Sequence, residues 1–309
     1  MKVHPPIVTS FLAVIFFEVS RTAISTCAAG VVLFVIAILA SKNDIAQARG
    51  IEKFIALANL CFAVPLAVFG AEHFAAAQGI SQMVPSYIPW HLFWAYFVGV
   101  ALVAASLSIA TKIQVQWSGL LFGIMMFLFV AMMDPPALRT DVHNRITWVL
   151  LLREPSFGFG GWCLAALAMQ SGRPQRKSWL VTLGRVVIGA AAIFYGVQHF
   201  LHPINAPGVP LEKVVPTWIP GRMIIGYLTG AILLVSGVFI LLGKKTRTAA
   251  GYLGAWIVLL VLFVYGPILI ASLLDPSTDV KVEGINYFFD TMLYAGAILA
   301  LASASPRTD

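Results

Sequence analysis

Charge is what this 309-residue sequence has least of: Asp, Glu, Lys and Arg make up 11% of it, against 60% in the hydrophobic set. That balance excludes a soluble globular protein, a disordered chain and a coiled coil, each of which needs far more polar surface to stay in water. Cysteine is equally scarce. Cys27, Cys61 and Cys163 are scattered through apolar stretches with no C-x-x-C pair. This excludes a disulfide scaffold, a dithiol relay and a thiolate zinc site, and leaves three small buried hydrophobes. Also missing are a glycine-rich nucleotide loop after a strand, an H-E-x-x-H, a G-x-S-x-G and any hydrophilic stretch long enough for a nucleotide domain. A redox cofactor would therefore have to sit between helices or arrive with a partner subunit.

What the chain has is long apolar runs and a mean hydropathy of +0.89. A bilayer crossing takes roughly 20 apolar residues, so the composition supplies about nine spans of an all-α, polytopic membrane protein in a lipid bilayer. Candidate spans fall at 11–40, 54–75, 91–110, 117–133, 157–169, 180–201, 224–242, 249–274 and 284–303. The first carries Glu18 and Arg21, which places its crossing in the later part and the earlier part at the interface. The fifth is short and follows Pro155, so its helix is expected to begin irregularly near the surface. The amino-terminal stretch reads as an uncleaved anchor rather than a signal peptide.

The net charge of +7 reads as membrane topology and not as nucleic-acid binding, because the basic residues are not gathered on one face. With nine spans, Lys42, Arg49, Lys53, Lys112, Arg173, Arg176, Lys177, Lys244, Lys245, Arg247 and Arg307 fall on one side. The smaller set, Lys2, Arg139, Arg145, Arg153, Lys213, Arg222 and Lys281, falls on the other. The positive-inside rule then puts the carboxyl terminus in the cytoplasm and the amino terminus outside, with loops 76–90, 134–156, 202–223 and 275–283 facing outward. Arg185 is expected to snorkel to the cytoplasmic surface, and the clusters Arg173, Arg176, Lys177 and Lys244, Lys245, Arg247 to set topology and touch anionic lipid.

The chain also repeats itself. Phe69-Gly70-Ala71-Glu72-His73-Phe74 returns as Tyr195-Gly196-Val197-Gln198-His199-Phe200, offset by 126. Val84-Pro85-Ser86-Tyr87-Ile88-Pro89 returns as Val215-Pro216-Thr217-Trp218-Ile219-Pro220, offset by 131, and that offset persists through Tyr96 and Tyr227 to Pro136 and Pro267. A five-residue insertion after the second histidine accounts for the change. Each unit holds four spans, an even number, so both copies enter the membrane in the same sense, related by an axis along its normal. The expected layout is an N-terminal helix in 1–50, then two parallel four-helix repeats in 51–172 and 173–309.

The unit, with G-x-x-H-F near the end of its first helix and an outer loop ending V-P-x-x-I-P, resembles the DoxX-like membrane proteins. Phe93 to Leu102 and Leu152 to Gly161 are similar to stretches of uncharacterised bacterial members. The resemblance covers both repeats but not the first 45 or so residues. It implies a bacterial inner-membrane protein with an auxiliary redox role: quinone association, or partnership with an oxidoreductase. The sequence departs from the family where DoxX itself tends to have Lys, here His73 and His199, and Glu, here Tyr96 and Tyr227.

Candidate site residues follow from depth. His73 and His199 lie about 30 and 21 Å along their helices from Lys53 and Arg185, at 1.5 Å per residue, so both sit toward the outer leaflet. Asp134, Glu154 and Asp290 end or open spans on the same side, near Asn144, Arg145 and Asn286. The expected pairs are His73 with Glu154, His199 with Asp290, and Glu72 or Asp134 with Arg145, since membrane charges face the bundle interior and pair. Four readings stay open: hydrogen bonds that only hold the bundle together, a pocket where His and Tyr hydrogen-bond a quinone or small solute, haem held by His73 and His199, and a proton relay. The V-P-x-x-I-P loops, with Tyr87, Trp90, Trp94 and Trp218 close by, read as interfacial caps or as lids over an outward pocket.

Overall fold

The structure is a computed structural model in which residues 21–140, 142–170 and 178–307 are described, apart from the side chains of Arg21 and residues 134–140. Lys2, Glu18, Arg173, Arg176 and Lys177, and the side chains of Arg21, Asp134 and Arg139, lie outside the described residues. In chain order the helices are α1 Arg21–Gln47, α2 Glu52–Ile55, α3 Ala58–Ala75, α4 Ala77–Ser81, α5 His91–Thr111, α6 Val115–Thr140, α7 Arg145–Met169, α8 Trp179–Leu201, α9 Arg222–Leu242 and α10 Thr246–Leu260. A π-helical turn, Val261–Tyr265, leads into α11 Gly266–Leu274, and α12 Thr278–Ala304 closes the fold. Among the described residues the only β-type pairing is an isolated bridge between Asn205 and Val214.

Eight stretches are long and apolar enough to cross a membrane: Thr22–Gln47, Glu52–Ala75, His91–Thr111, Val115–Met133, Trp179–Leu201, Arg222–Leu242, Thr246–Leu274 and Thr278–Ala304. α7 matches them in length at 25 residues but carries Arg145, Arg153, Glu154 and Pro155, and falls outside that set. Its start is regular and not the irregular one expected: Asn144 caps it by accepting from the Ile146 N–H, and the helix continues through Pro155. Two expected outer loops are also mostly helix. α6 and α7 leave only 141–144 between them, and α12 begins at Thr278. The π turn precedes Pro267, which has no N–H to donate, and the Gly266 N–H reaches back five residues to Val261 O.

Lipid tails are as apolar as leucine, so helix association here rests on close packing of small residues. Gly70 lies against the backbone of Gly99, Gly119 against Gly161, Gly196 against Gly230, Gly160 against Ala297, and Gly296 against Cys61 and Phe62. These contacts define a centre of four helices. α12 is the most enclosed of the apolar eight, with 78% of its apolar window buried against 22% for α6. It packs on α3, α7 and α10, while α7 packs on α6 and α8. The contacts interleave the two halves of the chain. Of the two sets α3–α7 and α8–α12, the first helix of each packs on the last helix of the other.

The two sets nonetheless make matching contacts at the offsets read from the sequence. The Asn59 amide donates to Ile109 O, and Arg185 donates to Ile240 O. Phe74 stacks 6.2 Å from Tyr96, and Phe200 lies 6.1 Å from Tyr227. Left-handed backbone occurs at Trp90, Lys112 and Gln114, and again at Gly221, Gly243 and Lys245.

A methyl group added at Gly296 would lie 2.7 Å from backbone atoms of Cys61 and Phe62, whereas one at Gly79 would meet nothing within 4 Å. Overpacking of this kind costs about 1–3 kcal/mol. Gly296→Ala is expected to lower the unfolding temperature in detergent clearly and Gly79→Ala to leave it unchanged or slightly higher; equal melting of the two would contradict the packing described.

Candidate functional site

Asn286, Asp290 and Tyr294 are four residues apart and so share one face of α12. Asp290 lies about 18 Å into its helix, and Arg153 of α7 about 12 Å into its own, at 1.5 Å per residue. There the Arg153 Nη1 donates to Asp290 Oδ2 at 2.8 Å, and its Nη2 lies 3.8 Å from Glu154 Oε1. The side chains are 16% and 23% exposed for Arg153 and Asp290. One turn nearer the start of α12, the Asn286 amide donates to Glu72 Oε1 of α3 at 3.4 Å. On the other side Tyr195 of α8 meets Tyr294 edge-on with ring centres 5.7 Å apart and donates its hydroxyl to Val149 O. Three carboxylates, a guanidinium and two tyrosines from four helices thus form one continuous polar cluster. Arg153 Nε, Gln198 Oε1, Asn286 Oδ1 and the Tyr294 hydroxyl in this region are buried without a hydrogen-bond partner among the described residues.

Above the cluster, the segment after His199 turns inward. Residues 205–210 are buried, an unusual fate for a loop, because its backbone groups must then find partners inside the protein. They do. Gly208 N–H donates to His199 Nε2 at 3.1 Å, Tyr265 donates to Pro207 O at 2.7 Å, and Arg145 donates to Pro210 O. Gly208 adopts φ +105°, a conformation that favours glycine, in contact distance of Ile257 and Thr291. The corresponding stretch after His73 instead forms α4, which carries only one buried residue, Ala77.

The carboxylates therefore meet an arginine and an amide and not the histidines. His73 donates Nδ1–H to Phe69 O of its own helix at 2.7 Å; a carbonyl can only accept, so the ring's other nitrogen is left as the acceptor. His199 is wholly buried, with Nε2 taken by Gly208. The expected pairs His73–Glu154 and His199–Asp290 are replaced by these contacts, and neither Glu72 nor Arg145 uses the other. Each ring has one nitrogen engaged, Nδ1 of His73 and Nε2 of His199, and the Nδ1 of His199 is buried without a hydrogen-bond partner among the described residues. Tyr96 and Tyr227 are 42% exposed each and stack on Phe74 and Phe200, so they face outward and do not line a cleft beside the histidines. The backbone of α6 carries Asp134, but that side chain lies outside the described residues.

Sequence reasoning missed Arg153, Tyr195, Tyr294 and the inserted loop. Their signals were present: an Arg-Glu pair beside an apolar run, an i, i+4, i+8 polar spacing on the last helix, and the five-residue insertion. The partners of Arg185 and Arg247 were not foreseen either. Arg185 donates to the carbonyls of Ile240 and Leu241 at the end of α9, and Arg247 is buried on Glu52.

A second feature lies on the outside. Between α5 and α6 runs a groove of about 560 Å³, floored by Ala101, Ala104 and Ala105 and walled by Trp94, Phe97, Trp117, Leu121 and Phe129, with Ser108, Gln114 and Ser118 at one end. From Trp94 to Ser108 it extends about 21 Å along the helix axis. No protein family, no curated protein and no solved structure matches the chain.

Removing one partner of a buried ion pair strands the other, at a cost of about 3–5 kcal/mol. Arg153→Met is expected to destabilise the protein by that order, and Asp290→Asn by less, because an amide oxygen still accepts from the guanidinium. Unfolding of both variants in detergent checks the order; Arg153→Met as stable as the parent would remove the cluster's structural role.

Proposed function

We propose that the chain is a bacterial inner-membrane protein of the DoxX-like kind, one leading helix followed by a duplicated four-helix unit, acting as an auxiliary, quinone-associated subunit or anchor for an oxidoreductase. The duplication is supported by the paired contacts Asn59–Ile109 and Arg185–Ile240 and by the left-handed turns recurring 131 residues apart. In this reading α7 is the ninth span, its charges turned to the interior, and the face carrying Lys112, Lys244 and Lys245 lies in the cytoplasm, as the positive-inside rule requires.

The observation that carries the quinone reading is the groove between α5 and α6. It opens beside two lipid-facing spans, so its occupant must be soluble in the bilayer. It is long and narrow, with alanines below and aromatic rings along the walls, a shape for a linear isoprenoid tail rather than a compact solute. The Gln114 amide and the Trp117 indole carry N–H donors at the end where quinone carbonyls would come to rest. An organic extract of the purified protein is expected to contain quinone at near one per chain, and Ala101→Trp or Ala104→Phe, which fill the groove, should cut it at least fivefold without loss of thermal stability. Quinone absent from the parent, or unchanged in the filled variants, would overturn the reading.

A second reading, a proton-linked small-solute permease, is favoured by the buried Glu72, Glu154, Asp290 and Arg153 cluster, since ionisable groups at membrane depth mark transport paths and proton relays. In proteoliposomes it predicts a proton flux that Asp290→Asn abolishes; a flux-free parent protein would argue against it.

A further inference from the structure

At the end of the bundle opposite the polar cluster, where α1, α2, α7, α10 and the carboxyl end of α12 meet, lies a pocket of about 910 Å³. Both of its acidic side chains are already occupied. Asp44 pairs with Lys112, and Glu52 binds Arg247 through both oxygens. Arg247 is itself saturated, because its Nη1 also donates to the carbonyls of Ala302, Ser303 and Ser305 at the end of α12. Two further guanidiniums line the same pocket, Arg49 and Arg307, and neither makes an ion pair within 4 Å among the described residues. Two like charges thus share one concavity while its acids are spent elsewhere, an arrangement that favours an anion between them. The remaining wall mixes Ile51, Ile55 and Leu167 with the hydroxyls of Thr248 and Ser303. Its volume exceeds what a bare inorganic ion would fill, and its apolar side suits an anion that carries a larger organic group.

We propose that this pocket binds a phosphate-bearing anion through Arg49 and Arg307. The two guanidiniums, which make no ion pair within 4 Å among the described residues, match one phosphate group, which carries one negative charge as a diester and about −1.5 to −2 as a monoester at neutral pH, and Arg presents the planar fork that phosphate oxygens accept. The buried Arg247–Glu52 pair holds the start of α10 against α2 and the last carbonyls of α12, so the pocket's back wall is built before any ligand arrives. The inference stands on this pocket alone and is independent of the quinone reading. Such a phosphate could come from a phospholipid headgroup at the membrane surface or from a soluble phosphate compound.

Thermal unfolding of the full chain in detergent tests it, with short-chain phosphatidylglycerol, short-chain phosphatidylcholine and inorganic pyrophosphate as probes. Phosphatidylglycerol or pyrophosphate is expected to raise the melting temperature and phosphatidylcholine to do so far less. The double variant Arg49→Gln, Arg307→Gln, altered only at exposed side chains, should melt like the parent without ligand and need at least tenfold more of the active probe for half its effect. Lys244→Gln with Lys245→Gln, on the same face but away from the pocket, should respond as the parent does. A response to phosphatidylglycerol alone assigns the site to lipid, and one to pyrophosphate assigns it to a soluble phosphate. No response to either, or an undiminished response in the double arginine variant, overturns the proposal.

Discussion

The pairing of Arg153 with Asp290 is the contact on which the rest of the arrangement turns, because it joins the two helices that the others surround. α7 and α12 each carry charge at a depth where apolar side chains would be easier to place. Neither charge could stay there alone. Their meeting fixes the height of one helix against the other, and small residues then allow the close approach seen where Gly160 meets Ala297. Once α7 and α12 are set side by side, α3 can pack on α12 through Gly296, and α8 on α7 through Gly184 beside Cys163. The interleaving of the two sets of helices follows from this central pair: each outer set must reach across it to bury its first helix.

Much of the fold was legible in the sequence, and the reasons are physical. A crossing helix needs a run of apolar residues, so the apolar runs locate the eight apolar helices, and the short run 157–169 proves to be the last part of α7, which starts at Arg145 and carries Arg153, Glu154 and Pro155 before it. The repeat was legible because helix pairs held by glycines tolerate little change at the contact, as Gly70 with Gly99 and Gly196 with Gly230 illustrate. The partners of the polar groups were not legible. Depth along a helix places His73 near Glu154 and His199 near Asp290 but carries no information on which face each side chain takes. The His73 ring turns back on Phe69 O of its own helix, and His199 is held by a backbone N–H from a loop whose path no periodicity reveals. The partners of Arg185 and Arg247 were not legible for a related reason. Counting charges for topology treats every arginine as solvent-facing, whereas these two satisfy carbonyls at helix ends.

The buried segment 205–210, in the region of the five-residue insertion, breaks the likeness between the two halves of the chain. After His73 the chain makes the short helix α4 and leaves Glu72 and His73 only partly covered. After His199 five additional residues let the chain dip inward, where Tyr265, Arg145 and His199 satisfy its backbone. His199 consequently serves as an acceptor that holds a loop in place, while the His73 ring keeps one nitrogen as an acceptor not used by its own helix. Two residues at matching positions of a repeated motif have thus taken different work, which weighs against a mechanism that asks both histidines to act alike.

That asymmetry also gives the buried cluster a direction. On the α8 side the loop covers it, and the Tyr195 hydroxyl is committed to Val149 O. On the α3 side the route runs through Glu72, which is partly exposed, to Asn286 and then to Asp290 one turn deeper. The groove between α5 and α6 is lined by no residue of α3, although α5 packs on α3. α3 is thus the helix that reaches both the polar cluster, through Glu72, and α5 at the wall of the groove.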